Sequence, residues 1–368
     1  MGLYEMNYKQ CIEYIELNSA DTDAPESGLE RCREYLQSSY AGDAVSGKTI
    51  LSFEAGFAGS LAMAYLEQAM KLAGVKTVLF SPGELGEYRN RWRVHGKLLS
   101  QKSLCDTVET IKEYAEKEGI SFSRRQMEFL VAEGVFAQSD AKVLLTDYAY
   151  KPDQMFESWE LLRDLEAPGI DYKVMKVNSK RQVVEFDTYK NIQLGTLGTE
   201  AIVGACRALA VRQRLSKQGI KLEEKHLHEA MEEAYVTAGF GKVSAKPLSV
   251  VDGAESGEQV QRLALDVDRY LSEKQIVLIW GATKETEIEE MLLVLCGKAS
   301  CVITVAPPVR NRIPSFDLAS QVMEQYPAVT AVDSLEEAKE IVSMILPKDG
   351  AVLVVGCSEL LSAWMDII

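Results

Sequence analysis

Histidine is scarce in this sequence, and its scarcity excludes several kinds of catalytic site. Only three histidines occur among 368 residues. Serine–histidine–aspartate and cysteine–histidine mechanisms need a histidine base beside the nucleophile, so the chain has little with which to build them. His226 and His228 lie on a predicted helix, where side chains two positions apart project about 200° apart, so they do not converge on one metal ion. His95 stands in a predicted hairpin turn without a candidate partner.

Long apolar runs, paired cysteines and an excess of basic residues are also missing. No stretch is long enough for a membrane-spanning helix, and the first residues lack the order of a signal peptide, so we expect a cytoplasmic protein that binds no membrane. The seven cysteines are scattered without a C-x-x-C pair, which predicts reduced thiols packed in the interior. A net charge of −15 argues against a nucleic-acid-binding protein.

What the sequence does contain is a regular alternation of predicted strands and helices. Apolar strands are predicted at 49–53, 75–80 and 142–145, with helical segments between them, which indicates a parallel sheet covered on both faces. A β-hairpin is predicted over 173–186. A turn at 238–246 precedes a second alternation of strands and helices.

The length and this alternation predict two α/β domains. Residues 1–243 form a larger domain with a P-loop-like parallel sheet and a shortened middle segment, and residues 244–368 form a smaller doubly wound α/β domain. The boundary lies where glycines and a proline cluster around the turn at 238–246.

The segment 48–60, K-T-I-L-S-F-E-A-G-F-A-G-S, organises the first domain. A strand, a turn of small residues and a helix N-terminus are how proteins hold phosphate groups on backbone N–H groups. Gly56, Gly59 and Ser60 are the candidate residues of that turn, and Ser60 is predicted to cap the helix, with Mg²⁺ ligation as the alternative. The turn contains no lysine to neutralise phosphate, and Glu54 adds a negative charge. It has the architecture of a nucleotide site without its principal cation.

Segments along nearly the whole chain resemble, in the same order, the folylpolyglutamate synthase/dihydrofolate synthase branch of the Mur ligase superfamily. They are M-N-Y-K-Q-C-I-E-Y-I with G-L-E-R, V-K-T-V-L-F-S-P-G with R-N-R-W-R-V-H-G-K-L-L-S, S-V-V-D-G-A-E-S, W-G-A-T-K-E-T-E-I-E-E-M-L, R-N-R-I-P and V-L-V-V-G-C-S. The resemblance implies a Mur ligase-like fold. It also implies an ATP- and Mg²⁺-dependent reaction in which a carboxylate becomes an acyl phosphate and is attacked by the amine of an amino acid, at a site between the two domains.

Most polar residues that this family uses are replaced at the matching positions. Ala58 stands where the phosphate-loop lysine belongs, and Gly83 replaces the histidine of the S-P-H turn. Glu255 and Ser256 replace the histidine and asparagine of D-G-A-H-N-P. The segment that should carry a second metal ligand and an acyl-transfer lysine is too short for either motif. Phosphoryl transfer depends on such lysines and metal ions, so their loss predicts a large loss of catalysis.

The resemblance and its departures together predict a pseudoenzyme: a binding, regulatory or scaffold subunit that associates with a protein partner or with itself and needs no cofactor. No residue is predicted to be catalytic. The polar groups that remain are candidates for a vestigial nucleotide or small-ligand site in the interdomain cleft: Gly56, Gly59, Ser60, Arg91, Lys242 and Asp252.

A divergent ATP-dependent amide ligase is the alternative function. Such an enzyme would bind ATP and Mg²⁺ in its own way, with Asp147 and Asp153 for the metal and Lys151 for phosphate. Ser60 and Asp147 are accordingly the candidate metal ligands, although Mg²⁺ demands carboxylate oxygens in near-octahedral positions and Asp147 is displaced from the family's position.

Overall fold

A computed structural model describes residues 6–17, 25–40, 47–53, 56–81, 87–147, 160–163, 171–177, 181–187, 189–233 and 239–368. The chain divides into two compact units. Unit 1 comprises Met1–Gly169 and Cys206–Ala230, and unit 2 comprises Ile170–Ala205 and Met231–Ile368. The domain boundary at 243/244 stays a prediction.

Unit 1 contains a six-stranded sheet in the order β4-β3-β2-β5-β1-β6. The strands are β1 (Thr49–Phe53), β2 (Thr77–Phe80), β3 (Trp92–Val94), β4 (Lys97–Leu98), β5 (Val143–Asp147) and β6 (Glu160–Arg163). β2, β5, β1 and β6 are parallel, whereas β3 and β4 form an antiparallel hairpin at one edge. β1 and β2 are buried throughout, as expected for parallel strands covered on both faces.

Two helices pack against this sheet, α3 (Phe57–Leu72) and α5 (Arg124–Gln138). The helices α1 (Tyr8–Leu17), α2 (Pro25–Ser39) and α4 (Gln101–Glu118) pack against α5. A 3₁₀ helix, Tyr88–Arg91, leads into β3. α6 (Thr199–Lys217) and α7 (Glu224–Glu233) contain residues of both units. Trp92 is fully buried and stacks on Phe80, so it serves packing.

Unit 2 contains a second six-stranded sheet in the order β10-β11-β15-β12-β13-β14. The strands are β10 (Gly241–Ala245), β11 (Leu248–Asp252), β12 (Ile276–Trp280), β13 (Cys301–Thr304), β14 (Val329–Ala331) and β15 (Ala351–Val355). All are parallel except β10, which pairs antiparallel with β11. The helices are α8 (Gly257–Tyr270), α9 (Ile288–Leu295), α10 (Ser315–Met323), α11 (Leu335–Ile345) and α12 (Ser358–Ile367).

A small antiparallel sheet also belongs to unit 2. It is formed by β7 (Tyr172–Val177), β8 (Gln182–Phe186) and β9 (Tyr189–Leu194). The hairpin predicted over 173–186 is confirmed as β7 and β8. The predicted turn at 238–246 is wrong in part, because most of it forms β10, a short polar strand that lies at the sheet edge and so lacks an apolar signal.

Several absences noted in the sequence recur in the structure. None of the cysteines forms a disulfide, and all except Cys301 are buried. His226 accepts a hydrogen bond from the Glu223 N–H, and His228 lies beside Glu224 on the surface of α7, so the two rings serve separate contacts. Within the ranges described above, no helix combines the length and apolar character needed to cross a bilayer.

Candidate functional site

The turn after β1 leads into helix α3 through Gly56. β1 ends at Phe53 and α3 begins at Phe57; Glu54 and Ala55 lie outside the described residues. Gly56 precedes α3 with a φ of 125°, a conformation that favours glycine. No side chain caps α3 in the described part of the chain, and the first N–H groups of any helix lack intrahelical partners. The start of α3 therefore keeps the feature with which helix N-termini hold anions, namely N–H groups without intrahelical partners.

Ser60 has a different position from the one predicted. It lies inside the first turn of α3, where its N–H donates to the Gly56 carbonyl at 3.0 Å, and Gly56 is the N-cap residue. The predicted role of Ser60 as the helix cap is therefore wrong. The left-handed glycine lets the helix begin at Phe57, earlier than the residue pattern indicated.

The cation that a phosphate loop needs is missing from this turn. Ala58, at the position of the family's lysine, is a buried methyl group in the first turn of α3. Lys48 is the only lysine of the segment 48–60, and it precedes β1 whereas the turn follows β1. Five strand residues separate the two by about 16 Å.

The side chain of Lys48 is also buried and hydrogen-bonded in the protein interior. It is 5% exposed, and its ammonium donates to the carbonyls of Phe136, Ser139 and Ala141 at 2.7, 2.8 and 3.0 Å. These carbonyls lie at and beyond the last turn of α5, where a cation also interacts favourably with the helix dipole. Burial lowers the pKa of Lys48. This lysine stabilises the end of α5 and cannot reach the turn.

Arg91 lies at the same edge of the sheet but its guanidinium is occupied. The Arg91 carbonyl accepts from Ser81, which follows β2, so Arg91 is three strand spacings from β1, about 14 Å. Its guanidinium stacks over the Tyr88 ring at 4.2 Å and lies 3.8 Å from the Glu128 carboxylate. Glu128, almost fully buried, also accepts from the Tyr88 hydroxyl and from Arg124. The arrangement is an internal ion pair rather than an open anion site.

The candidate metal position lies only partly within the described residues. Asp147 ends β5 in register with Phe53, so its backbone lies at the carboxyl edge near the turn. Gly83, Lys151 and Asp153 lie outside the described residues. Among the residues that are described, no three histidine, cysteine, aspartate or glutamate side chains converge in a way that could hold a metal ion. The metal roles of Ser60 and Asp147 stay predictions.

Asp252, in unit 2, is bonded to the backbone on both sides. Its Oδ2 accepts from the Phe240 N–H at 2.6 Å and its Oδ1 from the Ala254 N–H at 2.9 Å. Burial raises the pKa of Asp252 to about 7, against the lowering effect of these hydrogen bonds. Lys242 lies on β10 opposite Val250, so it neighbours the strand that Asp252 ends. Asp252 thus fixes the path of the chain into β10.

The helix N-terminus that follows Asp252 is closed by the chain's own side chains. Ser256 caps α8 by accepting from the Gln259 N–H, and the Gln259 side chain accepts from the N–H groups of Glu255 and Ser256. The next amide, Gly257, donates to the Glu287 carboxylate at 2.7 Å. Four amides that could have met an anion are therefore already satisfied.

Carboxylates surround the N-terminus of α8. Glu255 accepts from the hydroxyls of Thr283 and Thr286, and its burial, with the charges of Glu359 and Glu285, raises its pKa. A phosphate group arriving here would meet negative charge instead of the histidine and asparagine that the family pattern supplies. The electrostatics of this edge of unit 2 disfavour a nucleotide.

Solved structures of folylpolyglutamate synthases resemble this chain along nearly its whole length. A folylpolyglutamate synthase from Thermotoga maritima matches with a TM-score of 0.77 over 98% of this chain and 96% of its own, at 17% identity. A bifunctional folylpolyglutamate synthase/dihydrofolate synthase from Yersinia pestis, complexed with AMPPNP and Mn ion, gives 0.76 over 100% and 99%, at 16% identity. A Mycobacterium tuberculosis folylpolyglutamate synthase complexed with ADP and AMPPCP gives 0.74 over 91% and 94%, at 13% identity.

This chain has the folylpolyglutamate synthase fold. No family model and no curated protein sequence matches it. The predicted fold class, a parallel sheet followed by a smaller doubly wound α/β unit of Mur ligase type, is confirmed.

Two buried polar residues of this folylpolyglutamate synthase fold, Asp266 and Gln182, are not predicted by the sequence. Asp266 accepts from both the N–H and the hydroxyl of Thr199 and so holds the first residue of α6. Gln182, fully buried, donates to the carbonyls of Thr196 and Gly198 and accepts from the Tyr270 hydroxyl.

Together they fix the segment L-G-T-L-G-T at 194–199. No local signal reveals either residue, because their partners are 67 and up to 88 positions away in the sequence. In this chain the segment is held by internal hydrogen bonds from its own unit.

Proposed function

We propose that this protein is a non-catalytic relative of the folylpolyglutamate synthases that acts as a binding, regulatory or scaffold subunit together with a partner protein. The observation that carries the proposal is the turn after β1, which keeps the helix N-terminus of a phosphate loop but places the buried Ala58 where a lysine would stand. Without that charge, the developing charge of phosphoryl transfer loses one of its principal stabilising partners.

The internal contacts of the other charged candidates support the same conclusion. Arg91 pairs with Glu128, and Asp252 accepts from two backbone N–H groups. The amides at the start of α8 are capped, and glutamates surround them. Residues that serve binding in an enzyme of this fold would here have to break a buried contact first, which costs free energy.

Calorimetric titration of the whole protein with Mg-ATP tests the proposal. We expect no saturable heat at millimolar nucleotide and no ADP release in the presence of amino acids and carboxylate acceptors. A folylpolyglutamate synthase from Thermotoga maritima, assayed in parallel, is the positive control. Saturable micromolar binding with ADP release would contradict the proposal and favour the divergent amide ligase.

The variant Ala58→Lys tests whether the missing cation is the cause. We expect it to gain nucleotide affinity relative to the parent chain, because the lysine would stand beside the free end of the helix dipole. Ala73→Lys, at the opposite end of α3, adds the same charge to the same helix and serves as the matched control. Equal affinity in the two variants would show that position 58 has no special role.

Two experiments test whether the chain has a protein partner. Light scattering of the purified protein separates a homo-oligomer from a monomer. Co-purification from the native cell, followed by reconstitution with the identified protein, tests the hetero-complex. A monomer that co-purifies with nothing would contradict the scaffold role.

A further inference from the structure

A cavity of about 810 Å³ lies within unit 2, away from every residue discussed above. Its walls are the turn between β10 and β11, the second half of α11 and the end of α12. Since β11 begins at Leu248, this is the amino edge of the parallel strands, whereas Asp252 and the start of α8 lie at the carboxyl edge. Small-molecule sites typically measure about 300–1,000 Å³, so the volume suits a small ligand.

The floor of the cavity is apolar. Val342 and Trp364 are 3% and 2% exposed, and Leu346 and Pro347 extend the apolar wall. The indole N–H of Trp364 donates to the Ser249 hydroxyl at 2.9 Å. Because the polar atom of the indole is satisfied within the protein, Trp364 adds no unpaired polar group to this floor.

The rim of the cavity is basic. Lys246, Lys339 and Lys348 line it and are exposed, and no aspartate or glutamate side chain is among the lining residues. Lys339 donates to the Ile367 carbonyl. Within residues 239–368, all of which are described, none of these three ammonium groups forms a salt bridge. Three unpaired positive charges around one cavity stand out in a chain with a net charge of −15.

We propose that this cavity binds a small amphipathic anion, a carboxylate carried on an alkyl or aromatic body. The apolar body would cover Val342, Leu346 and Trp364, and the carboxylate would lie among the lysines at the rim. Local positive potential attracts and orients such an anion, while burial of its apolar part supplies affinity. The enclosing walls favour a soluble small molecule over the flat surface of a lipid bilayer.

Titration of the full chain with decanoate, below its micelle concentration, tests the site by calorimetry and by displacement of 1-anilinonaphthalene-8-sulfonate. We expect saturable binding of one decanoate. Decanol, which lacks the charge, and acetate, which lacks the apolar body, should bind at least tenfold more weakly. Equal binding of decanol and decanoate, or no saturable binding of decanoate, would overturn the proposal. Binding to anionic phosphatidylglycerol vesicles without binding of free decanoate would overturn it as well.

Variants locate the site. Lys246→Glu and Lys348→Glu should each weaken decanoate binding several-fold, and Ser343→Trp should abolish it by filling the cavity. Lys284→Glu changes an exposed lysine elsewhere in unit 2 and should leave binding unchanged. If the three variants at the cavity bind like the parent chain, decanoate lies elsewhere and the proposal fails. The comparison of decanoate, decanol and acetate needs no variant, so the test remains decisive if a substitution disturbs folding. None of these results bears on nucleotide binding, and the proposed function does not depend on them.

Discussion

At the scale of single residues, the buried carboxyl group of Glu133 destabilises unit 1 at neutral pH. It is fully buried on α5, and neither carboxyl oxygen has a hydrogen-bond partner among the described residues. Burial raises its pKa to about 8. The pKa of an ordinary glutamate is about 4.3, so at neutral pH this side chain is ionised in the unfolded chain and protonated in the folded chain. Glu133 therefore lowers the free energy of unfolding as pH rises from about 4 to about 8.

We expect Glu133→Gln to remove this pH dependence. By urea denaturation, the variant should gain stability over the parent chain between pH 5 and pH 8, by up to about 4 kcal/mol at the higher pH. Glu113→Gln, an exposed position on α4, is the control and should behave like the parent chain at both pH values. An unchanged pH slope in Glu133→Gln would mean that the carboxyl group is solvated or paired in solution.

Asp252 is both a candidate ligand-binding residue and an acceptor of two backbone hydrogen bonds. Asp252→Ala leaves the N–H groups of Phe240 and Ala254 unpaired in the interior, so we expect it to lose about 2–4 kcal/mol of unfolding free energy. Asp252→Asn keeps an acceptor oxygen and should lose less. Urea denaturation of the pair at pH 7 measures the difference. An alanine variant as stable as the parent chain would show that these hydrogen bonds contribute nothing, and Asp252 would again be free for a ligand.

At the scale of elements, Lys48 ties the strand that precedes the turn to the end of α5. Lys48→Met should leave three carbonyls without their donor and cost about 2–4 kcal/mol, since hydrogen bonds to a charged group are worth about 1.5–3 kcal/mol each and water replaces part of the loss. Hydrogen exchange should quicken at residues 136–141 before other parts of unit 1. Lys142→Met, an exposed neighbour, should leave exchange there unchanged. Equal exchange in both variants would contradict the capping role.

The elements that the sequence predicts best are the buried parallel strands. β1, β2 and β5 form where apolar runs predicted them, because a strand covered on both faces needs apolar residues throughout. β10 was missed because its residues are polar and glycine precedes it, as suits an edge strand. The predicted start of α3 is too late in the sequence. Gly56 begins the helix through its positive φ, and a residue pattern does not reveal backbone conformation.

The candidate site could be predicted only in part, because its partners are remote in sequence. The motif order identified which residues lie at the turn after β1 and at the end of β11. That Arg91 pairs with Glu128, or that Glu287 caps the start of α8, depends on tertiary packing that brings distant segments together. Residue type alone indicates a charge but not whether the fold has already neutralised it.

At the scale of the whole molecule, the net charge of −15 affects how nucleotide binding must be measured. Self-repulsion destabilises a compact state of high net charge, and salt screens it. We therefore expect the melting temperature to rise as NaCl increases from about 50 to about 300 mM, a range over which the Debye length falls. Mg-ATP raises ionic strength too, so an upward shift by itself does not indicate binding.

Matched ionic strength separates the two effects. A ligand present at about 100 times its Kd adds about 2.7 kcal/mol of stability, which is a clear rise in melting temperature. We expect Mg-ATP to produce the same melting temperature as NaCl of equal ionic strength, because the turn after β1 has lost its lysine and the start of α8 is capped. A rise beyond the salt control that saturates with Mg-ATP and is absent with Mg-sulfate would mean that the backbone of that turn holds phosphate without a cation, and the amide ligase would become the better explanation of this fold.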